Sequence, residues 1–96
     1  MRRWHKRQYI RGAAEWALRE HARGACGHRG AVRISVCCAV TRVLAVAGED
    51  ERAIYRAEYV DGMDYRRASA ALHMSESTYY RRRRSLLAAV EKDLEK

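Results

Sequence analysis

The sequence predicts an all-α protein, and three observations carry that reading. The 96 residues include no proline, and the chain draws heavily on alanine, leucine, arginine and glutamate, which lose least on entering a helix. Apolar residues recur at three- and four-residue spacing along most of the chain. Gly24, Gly27, Gly30, Gly48 and Gly62 fall between those periodic stretches, where a helical chain needs its breaks.

The elements follow in order. Residues 1–23 read as a helix with an apolar arc from Ile10, Ala13, Ala14, Ala17 and Leu18, edged by Trp4 and Trp16. Residues 31–47 fit two patterns: Val32, Ile34, Val36, Cys38 and Val40 alternate like a strand, while Val36, Cys37, Val40, Val43, Leu44 and Ala47 share a helical face. Helix is the expectation, because no second strand is available and a lone strand leaves its backbone groups unpaired. Residues 49–60 form a further amphipathic helix, with Ile54, Ala57 and Tyr55 inward and acids in the first turn.

After the Asp61-Gly62 break, Asp64 is placed to cap a helix of about ten residues whose inward positions are Tyr65, Ala68, Ser69 and Leu72. His73, Met74 and Ser75 then make a tight turn. Ser75 can cap the next helix, and Glu76 suits its positive end. That last helix is long, with Tyr79, Leu86, Leu87, Val90 and Leu94 on one face. Two helices joined by a tight turn, the second opening with small polar residues, describe a C-terminal helix-turn-helix. The expected fold is therefore a small helical domain, with residues 1–47 as a basic helical segment for packing or oligomerisation and residues 48–96 as the helix-turn-helix module.

Charge bears on partners. The net charge is +8, and it is uneven: residues 1–30 hold eight Lys/Arg against two Asp/Glu. A small basic chain is drawn to polyanions, and double-stranded DNA is the expected one. Residues 81–84 are four consecutive arginines, which cannot share one face of a helix. An isolated charge run is usually a solvated face, but here the run lies on the second helix of the motif. Arg83, four residues after Tyr79, is expected on the core side, snorkelling outward. Arg81 and Arg84, with Ser77 and Tyr80, project toward phosphates or guanine edges, and Ser75 and Glu76 open the same helix. Arg66 and Arg67 are assigned to phosphates. Tyr80 has a second reading, as a cover over a neighbouring helix, whereas Tyr79 is the inward anchor beside Leu72, Met74 and Leu86.

Other classes are weakly supported by the residues. Cys26, Cys37 and Cys38 with His5, His21, His28 and His73 lack zinc-ligand spacing, so no metal is expected and the thiols are expected reduced and partly buried. No phosphate-binding glycine loop, carboxylate pair or activated nucleophile appears, so neither catalytic residues nor a cofactor are assigned. The basic N-terminus lacks the apolar stretch of a signal peptide and no run is long enough to span a bilayer, so no membrane partner is assigned and a cytoplasmic, nucleoid-associated protein is expected. Trp4, Trp16, Val36, Val40 and Leu44 offer more apolar surface than the small C-terminal module can cover, which predicts a homodimer presenting two recognition helices one duplex turn apart.

The pattern Asp50-Glu51-Arg52-Ala53-Ile54, Tyr59-Val60-Asp61-Gly62, Ala68-Ser69, Leu72, Met74-Ser75, Thr78-Tyr79-Tyr80, Arg83 and Leu86-Leu87 resembles the ArpU/RinA-like phage transcriptional regulators. The resemblance spans residues 40–94. It implies a helix-turn-helix similar to region 4 of sigma-70 factors, late-gene activation in a phage or prophage, and a recognition helix over residues 75–84. The sequence departs at His73, where the wider motif prefers glycine, and at Arg83, where sigma-type helices are apolar. Two alternatives stay open: a small terminase-like DNA-packaging protein, and a protein-protein adaptor docking on RNA polymerase.

Overall fold

The computed structural model describes residues 3–24 and 31–95, with side chains from 12–24 and 36–95. It is an all-α domain, with five helices among the described residues: α1 (Arg3–Ala22), α2 (Ala31–Val46), α3 (Glu49–Ile54), α4 (Tyr65–Ala71) and α5 (Glu76–Leu94). The ambiguous segment at residues 31–47 is helical, as its unpaired backbone required. The side chains of Trp4, His5, Ile10, Cys26, His28, Val32 and Ile34 lie outside the described residues.

One expectation needs correction. Residues 49–60 do not form a uniform α-helix: after Ile54 the chain widens into a π-helical turn, Tyr55–Val60. The wider turn ends where Asp61 N–H donates to the Arg56 carbonyl at 2.8 Å and Met63 N–H to the Ala57 carbonyl at 3.0 Å. Gly62 makes the reversal with φ +73°, a left-handed backbone that costs glycine nothing.

α5 is the spine of two cores. Its C-terminal half contributes Leu86, Leu87 and Val90 to a cluster with Ala14, Ala17 and Leu18 of α1 and Val36, Val40 and Val43 of α2. Its N-terminal half contributes Tyr79 to a second cluster with Ile54, Ala57 and Ala68, flanked by Met63, Tyr65, Leu72 and Met74. Tyr79 thus anchors beside Leu72 and Met74 as expected, but Leu86 belongs to the other cluster. The segments 1–47 and 48–96 share a core through α5. Val36 and Val40, from which self-association was expected, are buried inside the chain, and Leu44 packs against the same cluster.

The starts of α4 and α5 are specified locally. Asp64 accepts from the Arg67 N–H at 2.9 Å and Ser75 from the Thr78 N–H at 3.2 Å, each satisfying an otherwise orphan donor in a first turn. At the end of α4, His73 N–H donates to the Ala70 carbonyl and Met74 N–H to the Ser69 carbonyl. That pairing is a Schellman cap, which needs a left-handed residue at its centre. His73 supplies it at φ +56°, in the place where glycine is the usual choice. The caps leave α4 with seven helical residues rather than about ten.

Vicinal cysteines on a helix point about 100° apart, and α2 separates them accordingly. Cys38 faces outward as a free thiol, whereas Cys37 is buried and disulfide-bonded, not reduced as expected. Among the described residues no helix is long and apolar enough to cross a membrane, and no group of three or more His, Cys, Asp or Glu is placed to hold a metal ion.

Candidate nucleic-acid interface

The phase of α5 is fixed by its buried side chains. At about 100° per residue, the inward positions Tyr79, Leu86 and Val90 put Ser77, Arg81 and Arg84 on the opposite arc. All three are exposed. The four consecutive arginines therefore separate into different chemical settings.

Arg83 turns inward. Its Nε donates to both carboxylate oxygens of Glu58 at 2.9 and 3.0 Å, and its Nη2 donates to Glu15 at 2.6 Å and to the Tyr59 hydroxyl at 3.3 Å. The Tyr79 hydroxyl donates to the same Glu58 at 2.6 Å. Sequence reasoning placed Arg83 on this side but expected it to snorkel to water. Two carboxylates hold it instead, one from α1 and one from the π-helical turn. Burial on its own would lower the Arg83 pKa, but its hydrogen bonds to Glu58 and Glu15 and its charge interaction with Glu58 raise it. Burial pushes the Tyr59 hydroxyl up to about 12 despite the nearby Arg83 charge, and burial followed by the Glu58 hydrogen bond raises Tyr79. Both phenols stay protonated at neutral pH. The cluster consequently clamps the start of α5 to α1 and the π-helical turn.

Arg82 points sideways, 3.5 Å from Asp50 of α3, an exposed pairing of small energetic weight. Arg81 and Arg84 have no carboxylate partner at ion-pair distance among the described residues. An unpaired guanidinium keeps its five donors available to an external anion.

The remaining sequence-assigned residues are near this face but are not equivalent. Arg67 is exposed and has no carboxylate at ion-pair distance among the described residues. Arg66 is exposed, yet its Nε donates to the Tyr65 hydroxyl at 3.2 Å and its guanidinium lies 5.8 Å from that ring. Tyr80 packs on Tyr65 with ring centroids 5.2 Å apart, so it covers α4 while keeping 40 % of its surface exposed. Ser75 is committed to capping, accepting from Thr78 N–H and donating to the Thr78 hydroxyl at 2.9 Å. Ser77 and Glu76 are exposed in the first turn. A carboxylate there repels phosphates and suits a base-edge donor such as the cytosine amino group.

A second polar node was not anticipated. His21 Nδ1 lies 2.6 Å from the Tyr55 hydroxyl, and His21 Nε2 lies 3.0 Å from the Thr41 hydroxyl. Thr41 donates its own proton to the Cys37 carbonyl at 3.1 Å, so it accepts from His21 Nε2–H and leaves Nδ1 to accept from Tyr55. The imidazole in this chain is neutral, consistent with a pKa lowered by burial. It joins α1, α2 and the π-helical turn, whose residues are too distant in sequence to have signalled the contact.

No protein-family model, curated protein or solved structure matches the chain.

Proposed function

We propose that this chain is a sequence-specific duplex-DNA-binding transcriptional regulator in which α4, the His73 turn and α5 act as a helix-turn-helix. The observation that carries the reading is the sorting of four consecutive arginines. Arg82 and Arg83 are paired within the chain, whereas Arg81 and Arg84, on the outward arc beside Ser77, have no ion-pair partner among the described residues. Arg83, held against Glu58 and Glu15, fixes the phase of α5, so that Arg81 and Arg84 are presented outward on a helix that starts from a capped turn.

In this reading the first turns of α5 enter a major groove, where arginine can pair bidentately with guanine, and Arg67 and Arg66 reach phosphates from α4. Arg66 must release the Tyr65 hydroxyl to do so. The resemblance of residues 40–94 to ArpU/RinA-like phage regulators supports the same assignment and suggests a late-gene activator. The test is affinity for random-sequence duplex at two salt concentrations. A groove reader binds and weakens steeply as salt rises, because phosphate contacts release counterions; a protein-protein adaptor shows no duplex binding at low salt, and that result would overturn the proposal.

A further inference from the structure

A second surface, built by α2, α3 and the π-helical turn, carries cations in a different setting. Arg52 and Arg56 are exposed, lie four residues apart, and have no carboxylate at ion-pair distance among the described residues. They edge a groove of about 460 Å³ whose other walls are Leu44, Tyr55, Val60 and Asp61. None of these residues belongs to α4 or α5. Val60 is 51 % exposed, and the Tyr55 hydroxyl is held by His21, which leaves the ring as wall rather than as a polar contact. The π-helical turn that replaces the expected α-helix spans Tyr55, Arg56 and Val60, and such turns frequently occur at functional sites.

The groove's lining joins two cations, the apolar surfaces of Leu44, Tyr55 and Val60, and a single acid, Asp61. Helical neighbours four apart have Cβ atoms about 5–6 Å from each other, close to the repeat of alternate side chains on an extended strand or of successive turns of a helix. From this we infer that the groove docks an acidic peptide segment of a partner protein. Two carboxylates of the segment meet Arg52 and Arg56, and an apolar side chain beside them lies against Leu44 and Val60. The segment's acids sit away from Asp61. Nucleic acid fits this surface less well, since a uniform row of phosphates would approach Asp61 and lay a charged backbone over Val60. The groove and the outward face of α5 share no residue, so the protein can hold DNA and the acidic segment together.

The experiment uses the whole chain and a short fluorescein-labelled peptide alternating Glu and Asp with Leu. Anisotropy gives the affinity, and amide and methyl shifts give the place. Shifts are expected at Leu44, Tyr55, Arg56 and Val60. The expected weakening is about tenfold or more for Val60→Asp, for Arg52→Glu with Arg56→Glu, and for a peptide of equal charge with serine in place of leucine. All altered side chains are exposed or half-exposed, and circular dichroism verifies that each variant folds. Random duplex is expected to leave the peptide bound. Absence of peptide binding, or equal binding of the serine peptide, would overturn the inference. So would displacement by duplex together with loss of duplex affinity in the Arg52→Glu, Arg56→Glu variant, which would make the pair a phosphate contact. Peptide binding that survives when the wild-type chain fails to bind any duplex would refute the DNA reading and leave this one standing.

Discussion

Replacing Arg83 with methionine tests how α5 is held. The side chain is only 23 % exposed, and its partners Glu15 and Glu58 are 30 % and 18 % exposed. Removing one partner from a fully buried ion pair costs about 3–5 kcal/mol, because the remaining charge is left uncompensated. Partial exposure lets water reach both carboxylates and reduces that figure, and methionine preserves part of the packing of the arginine stem, so a loss of roughly 2–3 kcal/mol is expected. For a domain of this size each kcal/mol lowers Tm by about 4–8 °C, which places the expected drop on the order of 10–20 °C. Urea and thermal unfolding at neutral pH measure it. Adding Glu58→Met to Arg83→Met is expected to recover part of the loss, since replacing both members of a pair by apolar groups removes the stranded charge. A loss under about 0.5 kcal/mol, the scale of an ordinary surface substitution, would show that the cluster does not hold α5.

Three other outcomes follow from particular contacts. Tyr79 is fully buried, so Tyr79→Ala is expected to destabilise by about 3–5 kcal/mol, while Tyr79→Phe, which keeps the ring and loses the bond to Glu58, costs about 1–3 kcal/mol; equal losses in chemical denaturation would contradict the contact. His73→Gly removes a left-handed histidine from the cap of α4 and is expected to stabilise by about 1 kcal/mol, a shift visible in Tm; destabilisation would mean that the histidine side chain contributes more than its backbone strain. The lowered pKa of His21 means the folded chain binds fewer protons there than the unfolded chain, so this node's stabilisation is fully present above about pH 6.5 and is lost as pH falls from there through the lowered folded value. Unfolding measured across that window in wild type and His21→Gln is expected to converge at acid pH, and parallel profiles would refute the neutral-imidazole assignment.

What the sequence made legible was whatever depends on near neighbours. The phase of α5 follows from Tyr79, Leu86 and Val90, and from that phase alone Arg81 and Arg84 face outward and Arg83 inward. Ser75 and Asp64 announced their caps because a cap is a contact over three residues. Partners across the chain were not legible: Arg83 reaches Glu58 and Glu15 over separations of 25 and 68 residues, and nothing in local composition marks a carboxylate as belonging to a distant guanidinium. The π-helical turn escaped for a related reason. One extra residue per turn leaves the apolar spacing of residues 49–60 nearly unchanged while redirecting which side chains meet α1. Val36 and Val40, which looked surplus to a C-terminal module, form one side of a core shared with the far half of α5, a contact that local periodicity does not mark. At the candidate interface, local periodicity could assign a face but not the side-chain bond to Tyr65 that already occupies Arg66.

The decisive measurement for the role of α5 is the salt dependence of random-duplex binding by the Arg81→Ala, Arg84→Ala double variant, set beside Arg82→Ala. If the outward pair contacts the duplex, the double variant binds more weakly and, where both arginines meet phosphates, its log–log salt slope falls by about two. Arg82→Ala, which removes only the pairing with Asp50, leaves both affinity and slope close to wild type. Equal behaviour of the double variant and wild type, with both still folded, would contradict the assignment of this helix face to DNA.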